Sequence, residues 1–326
     1  LSLTLRRKYD NYGNRSNYPA EHYTMNTPFR LSLTLAATLA ALSFASPAPA
    51  SVVDLGQAGQ FTLLALGGGI DDSGPLGPQG DPFTVNGPVG VVTSGEKFQA
   101  SGSVTYSGPI FLHSGVTFNS SAPGVPQPTM SSSIDTMLAQ AKQDAFAASA
   151  FALSLSPTQT LGTISNNLNI TQGSVGNYVL KIDSINFSGN KALTLSAPTG
   201  STFVLNISSG ITLTTGSILV AGGLSAADVL INYTGTSDVQ FSGGGNTSQV
   251  FGTILAPNAT VGLHPGLVVG SVIADAITMS SGADVVPVPE LAPGSVIFGF
   301  LGLIVAVGSR RVLSARVRAV ATRRIK

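Results

Sequence analysis

The sequence contains no cysteine. A disulfide, a thiolate zinc site, an iron–sulfur cluster and a cysteine nucleophile are therefore all excluded. Charge is scarce as well, at 10% of residues, and it is segregated along the chain. Between Ser51 and Val286 only Lys97, Lys142, Lys181 and Lys191 oppose twelve acidic residues, so this stretch carries a formal charge of −8 (four minus twelve). Nucleic-acid binding needs clustered Lys and Arg to displace counterions from phosphates, so no nucleic-acid partner is expected. Histidine is nearly missing too. In this stretch only His113 and His264 occur, in Leu112-His-Ser114 and Leu263-His-Pro265, without His-x-His or His-x-x-x-His spacing. Both read as turn histidines. Asp71, Asp72 and Asp81 flank a Gly/Pro-rich loop, but the ordered Asp-x-Asp-x-Asp-Gly calcium pattern is lacking, so they read as solvated loop acids. Gly243-Gly-Gly-Asn246 lacks the Lys-Ser/Thr of a phosphate loop and reads as a turn. No catalytic residue, cofactor site or metal site is predicted, and the chain is not expected to be an enzyme.

What is present begins with two addressing segments. Arg30 precedes an uncharged run from Leu31 to Phe44, and Ala48-Pro49-Ala50 supplies a small-residue cleavage pattern before Ser51. Residues 25–50, starting at Met25, are predicted to be a signal peptide; residues 1–24 are polar, are assigned no fold and read as a mis-called start or a disordered segment. At the other end, Leu291 to Gly308 are eighteen residues without a charge. A helix of that length spans about 27 Å, near the hydrocarbon thickness of a bilayer. Arg310 and Arg311 follow, and the tail from there holds seven basic residues and no acid. The positive-inside rule then places residues 51–286 outside the cytoplasm.

The order Val288-Pro289-Glu290, an apolar span, then Arg310-Arg311 resembles the PEP-CTERM sorting signal, with Leu291 where that motif usually has Pro. The resemblance covers about the last forty residues, taken as tail 287–326, and implies an exosortase-type enzyme as partner.

From 160 to 285, short β-branched or aromatic runs alternate with Gly, Asn, Ser and Pro turn signals. Tyr178–Ile182, Phe203–Ile207, Val229–Tyr233, Phe251–Ala256 and Val269–Ala274 look like versions of one another, starting 25, 26, 22 and 18 residues apart. Gly87-Pro88 and Gly108-Pro109, 21 residues apart, extend the period toward the N-terminus. Such irregular spacing suits a solenoid of three short strands per turn. A sandwich of hairpins is the competing architecture, although its two-residue turn dipeptides are scarce beyond Asn86-Gly87. One segment differs. Ile134, Leu138, Ala141, Ala145, Ala148 and Ala152 share a helical face, Ser132 and Asp135 resemble a capping box, and Pro157 is a stop, so 132–156 are predicted to be a helix. About 23 helical residues extend roughly 34 Å, close to seven coils at about 4.8 Å each, which suggests a helix lying along the solenoid.

Leu55–Leu66, the Ala-rich helix, Thr202–Asn206 and Val250–Thr260 together resemble the bacterial choice-of-anchor A and ice-binding-like β-helix domains over most of residues 54–285. The fold class expected is thus mainly β: a discontinuous right-handed β-helix with one long helix alongside, a signal helix and one C-terminal transmembrane helix. A repetitive flat face suits an extended polymer or an ordered surface, with extracellular polysaccharide or ice as the expected partner. Thr212, Thr214, Thr215, Ser217, Thr253, Thr260 and Thr278 are the candidate hydroxyls, against the plainer reading that Thr is simply a good strand residue. The leading expectation is a cell-surface or matrix interaction protein. The alternatives are an ice-binding or adhesive protein using a Thr-bearing face, and a polysaccharide-acting hydrolase.

Overall fold

The short runs become strands of a parallel stack. In chain order these are β1 (Leu63–Ala65), β2 (Ile70–Asp72), β3 (Phe83–Val85), β4 (Val89–Val91), β5 (Lys97–Ala100), β6 (Val104–Tyr106), β7 (Ile110–Leu112) and β8 (Thr117–Ser120). Helix α1 (Ser132–Ser154) follows. Then come β9 (Gln159–Ile164), β10 (Leu168–Thr171), β11 (Asn177–Ser188), β12 (Ala192–Ala197), β13 (Thr202–Thr214), β14 (Ser217–Gly222) and β15 (Val229–Tyr233). The last are β16 (Val239–Ser242), β17 (Gln249–Phe251), β18 (Thr253–His264), β19 (Leu267–Val269), β20 (Val272–Met279) and β21 (Asp284–Val286). The computed structural model describes residues 52–73, 83–243, 248–280 and 282–288. The predicted signal segment with Ala48 and Ala50, the motif residues Pro289 and Glu290, the 291–308 span and Arg310 and Arg311 lie outside them. Among the described residues, no helix is long and apolar enough to cross a membrane.

The strands make three faces. The first runs β7-β4-β1-β20-β18-β15-β13-β11-β9, nine levels deep. The long strands bend midway, with register shifts between Ile182 and Ser184 and between Ala256 and Thr260. Their second halves join β16, β2, β5 and β8 in the second face. The third runs β10-β12-β14-β17-β19-β21-β3-β6. Every strand pairing among the described residues is parallel, so the sandwich of antiparallel hairpins is overturned.

Parallel stacking puts like residues in columns, and the inward columns are apolar. Leu180, Leu205, Ile231, Ile254, Val272, Leu63, Val89 and Ile110 follow one another in register and are fully buried. The pairing of β1 with β20 is the topological break: the N-terminal coils stack beyond the last C-terminal coil, not before the first. The chain therefore leaves at β8 on one end of the stack and resumes at β9 on the other. Helix α1 makes that return journey along the first face. Nine levels at about 4.8 Å need roughly 38 Å, and 23 helical residues supply about 34 Å.

The helix lies on a second apolar layer. Leu138, Ala141, Ala145, Ala148 and Ala152 pack against outward side chains of the first face, among them Val179, Val204, Leu230, Leu255, Ile273 and Leu64. Small side chains let the helix approach the sheet closely. Its N-cap is Ser131, whose Oγ accepts from Ile134 N at 3.3 Å, not Ser132 as the spacing suggested. Asp135 is occupied elsewhere: its carboxylate accepts from Ser114 N and Ser114 Oγ, both at 2.8 Å, and these bonds hold its pKa below the usual value. The helix ends at Ser154, two residues before the predicted limit of 156.

Candidate adhesive face

With the first face covered by α1, no other described element covers the second, and two of its outward columns are polar at every level but that of Gly262. The middle column is Asn186, Thr212, Gln240, Gly262, Thr278, Asp71, Gln99 and Asn119, in register through eight levels. Two residues further along each strand stands a second column: Ser188, Thr214, Ser242, His264, Ser280, Ser73, Ser101 and Ser121. Strand pairing gives Ser188 to His264 directly. Ladder hydrogen bonds from Ser280 N to Leu263 O, Ser73 N to Met279 O, Ser101 N to Asp72 O and Ser121 N to Ala100 O carry it on. Seven of its eight members bear a hydroxyl. At about 4.8 Å per level the columns run roughly 34 Å.

The period-2 strand geometry explains the pattern: one buried residue sits between two outward ones. Six of the eight levels read as polar, buried, hydroxyl, as in Asn186-Phe-Ser188, Thr212-Leu-Thr214, Gln240-Phe-Ser242 and Thr278-Met-Ser280; Gly262-Leu-His264 and Asn119-Ser-Ser121, with Ser120 exposed, are the other two. That tripeptide, recurring at coil spacing, was the available sequence signal for Ser188, Ser242, Ser280, Ser73, Ser101 and Ser121. Of the predicted hydroxyls, Thr212, Thr214, Thr260 and Thr278 lie on this face. Thr253 does not: it pairs with Leu230 on the helix-covered face. Ser217 belongs to the third face, and Thr215 to the bend at the face's edge, with φ 55°. The third face is mixed, with Leu219, Phe251, Val269 and Val286 half-buried in its middle and Thr84 and Thr105 at one end.

Two groups depart from the pattern. His264 stands in the hydroxyl column, half-buried, and is a strand residue rather than the turn histidine expected. Its Nδ1 is 2.7 Å from Ser280 Oγ and its Nε2 is 3.1 Å from Thr278 Oγ1. The ring thus folds across the face from one column to the other. It lies over Gly262, where a Cβ would come within 2.8 Å of Nε2. Partial burial keeps its pKa below the ordinary imidazole value. The second departure is Asp72, at an inward position that the preceding levels give to Phe, Leu or Met and the next to Ala100. It is fully buried rather than the solvated loop acid expected. Its Oδ2 accepts from Tyr106 Oη at 2.8 Å, while Oδ1 has no partner among the described residues. Burial, opposed by that bond and reinforced by Asp71, pushes its pKa up to about 7.

An open depression of about 580 Å³ beside α1 gathers His113, Asp135, Lys142 and Phe146. Both Asp135 oxygens there are already engaged by Ser114. Among the described residues, no three His, Cys, Asp or Glu side chains are grouped as a metal site would require.

The family profile of ice-binding-like adhesive domains matches residues 53–285, the whole of this stack. The chain belongs to that family. No curated protein matches it. Among solved structures it is similar to an ice-binding protein from the Antarctic ascomycete Antarctomyces psychrotrophicus, at 20% identity over 72% of this chain and 97% of that one, with a TM-score of 0.42. It is also similar to an ice-binding protein from an Arctic yeast, at 21% identity over 74% and 97%, with a TM-score of 0.44. A third is an ice-binding protein domain of Shewanella frigidimarina, at 18% identity over 73% and 98%, with a TM-score of 0.43.

Proposed function

We propose that this ice-binding-like adhesive domain works without catalysis, adhering to ice or another extended, hydrogen-bonding surface through the bare second face. The observation that carries the reading is the pair of columns, polar at fifteen of sixteen positions in register over eight levels. A single hydrogen bond contributes only about 0.5–1.5 kcal/mol net. Many such groups held by a rigid stack act together, because little entropy is lost on contact. A flat face also matches a repeating surface better than a small molecule, which needs a concave site. The test is partitioning of the full chain into a slowly growing ice shell, with thermal hysteresis, and retention on a regenerated-cellulose film. Exclusion from ice together with no retention on cellulose would remove the proposal.

We also propose that the domain is exported and displayed outside the cytoplasm, held by residues 291–308 and sorted by an exosortase-type enzyme acting on the tail at Val288-Pro289-Glu290. The run Leu31–Phe44, the Ala48-Pro49-Ala50 pattern and the Arg310-Arg311 stop support this reading. Mass spectrometry of the mature C-terminus from host fractions tests it. A mature protein that retains Arg310 contradicts processing, and one found only in the cytosol contradicts export.

A further inference from the structure

We propose that His264 is a proton-responsive element of the adhesive face, which reverses the hydrogen-bond polarity of one of its two hydroxyl partners and so sets the pH range over which the face adheres. The inference rests on the reading of this face as the adhesive one.

A neutral imidazole has one N–H donor and one acceptor nitrogen. With Nδ1 at 2.7 Å from Ser280 Oγ and Nε2 at 3.1 Å from Thr278 Oγ1, one hydroxyl accepts from the ring and the other donates to it. The donating hydroxyl has its hydrogen turned down onto the ring. Protonation makes both nitrogens donors. The hydroxyl that had donated must then accept, and its hydrogen swings away from the ring toward whatever the face meets. One proton therefore inverts a donor and places a positive charge at the centre of the hydroxyl column, four levels from Ser121 and three from Ser188.

The position is built for this. His264 breaks a column that is otherwise all Ser and Thr, and Gly262 leaves the space in which the ring lies flat. A side chain at 262 would lift the imidazole off the face. β16 and β20 turn only neutral side chains toward the ring, namely Gln240, Ser242, Thr278 and Ser280. The charged groups on the packed elements stand further off: Asp238 ahead of β16, Asp275 at the bend of β20, and Asp71 on β2 across Thr278. Partial desolvation opposes the charged form, so the face is neutral at its centre near pH 7 and becomes cationic in acid. Contact with an uncharged surface then requires the imidazolium to lose water with Asp71, across Thr278, as the nearest counter-charge and none in contact, which weakens adhesion.

The experiment uses the full chain with ¹⁵N-labelled histidine. The Nδ1 and Nε2 shifts of His264 are titrated from pH 4.5 to 8, and retention on polycrystalline ice and on a regenerated-cellulose film is measured over the same range. Retention is expected to fall at least threefold on the acid side, with a midpoint matching the His264 titration and lying below 6.5. In H264Q, checked for folding by circular dichroism, retention should be flat with pH. Wild-type retention that is flat while His264 titrates overturns the inference and leaves the adhesive reading intact. No retention at any pH overturns both. A pH dependence that survives in H264Q and disappears in D71N assigns the effect to the carboxylate and refutes the role of His264. Should H264Q fail to fold, the match or mismatch of the two wild-type midpoints decides.

Discussion

Asn232 and Asn206 stack on adjacent levels of the first face, the Nδ2 of Asn232 donating to the Oδ1 of Asn206 at 2.7 Å. Both point outward into the apolar seam beneath α1, where polar groups are costly unless bonded. The helix satisfies them. Asn206 Nδ2 donates to Ala152 O at 2.7 Å, Asn232 Nδ2 to Ser149 O at 3.1 Å, and Ser149 Oγ donates to Asn232 Oδ1 at 2.6 Å. The Ala face can slide along a sheet, but these bonds admit one register. Asn232→Ala leaves Ser149 and Asn206 short of partners and should cost roughly 2–4 kcal/mol. Urea denaturation monitored by circular dichroism measures it. Amide exchange should rise first in the C-terminal half of α1. A loss below about 0.5 kcal/mol would show that the clamp has no energetic role.

The buried carboxyl of Asp72 gives a stability slope of definite sign. Its folded pKa, about 7, lies above the ordinary 3.8, so the native state holds the proton more tightly than the unfolded chain. Its favourable contribution is complete below pH 4 and is lost as pH rises through 7. At about 1.4 kcal/mol per unit, the change amounts to at most about 4 kcal/mol. Thermal midpoints of the wild type should therefore fall between pH 4 and pH 8 relative to Asp72→Asn, which cannot ionise. Parallel pH profiles for the two proteins would refute this account.

Gly270 begins a repeated corner, with φ 146° stacked over Gly252 at φ 148°. A Cβ at 270 would collide with the carbonyl oxygen of Gly252. Neighbouring corners of the stack touch through backbone, so neither side can yield. Gly270→Ala is expected to destabilise by about 2 kcal/mol or more through strain and displaced coils. Gly95→Ala, with a positive φ but open space around it, should cost less. Guanidinium midpoints of the two variants test the ordering.

On the second face, proposed to adhere, bulk rather than chemistry is the sharpest probe. Thr212→Tyr and Thr278→Tyr raise a ring above the plane and should each lower retention on ice or cellulose tenfold or more. Their thermal midpoints should move little, since surface changes usually stay within about 0.5 kcal/mol. Thr105→Tyr places the same ring on the third face, where Thr105 is exposed. It should bind as the wild type does. Equal losses at Thr105 and Thr212 would move the contact surface away from the second face.

Much of this was legible in the chain because the stack is quasi-periodic. The runs at Tyr178, Phe203 and Val229 do occupy successive levels, and the Gly-Pro pairs at 87 and 108 lead into the paired strands β4 and β7. The helix was legible from its Ala and Leu spacing, since its buried face is a local property of 3.6-residue periodicity. Other features depend on contacts between distant segments. Nothing near Leu63 announces that it stacks on Val272, because parallel pairing is set by which apolar ends remain uncovered. That break makes the helix a return strut and gives it nine levels to cover. For the same reason Thr253 and Thr212 look alike in sequence yet face different surroundings. The corner position of each coil, which loops of varying length decide, assigns one to the helix side and the other to the bare side.

By itself, then, the sequence determined the repeat, the helix, the lack of thiol chemistry and the polar character of the strands, because each follows from residue type and local spacing. Only the tertiary structure decided which polar residues form one surface, that His264 lies across it, and that Asp72 is sealed inside. Those facts arise from register between coils, where residues as far apart in sequence as Asp71 and Thr278 become neighbours on one face.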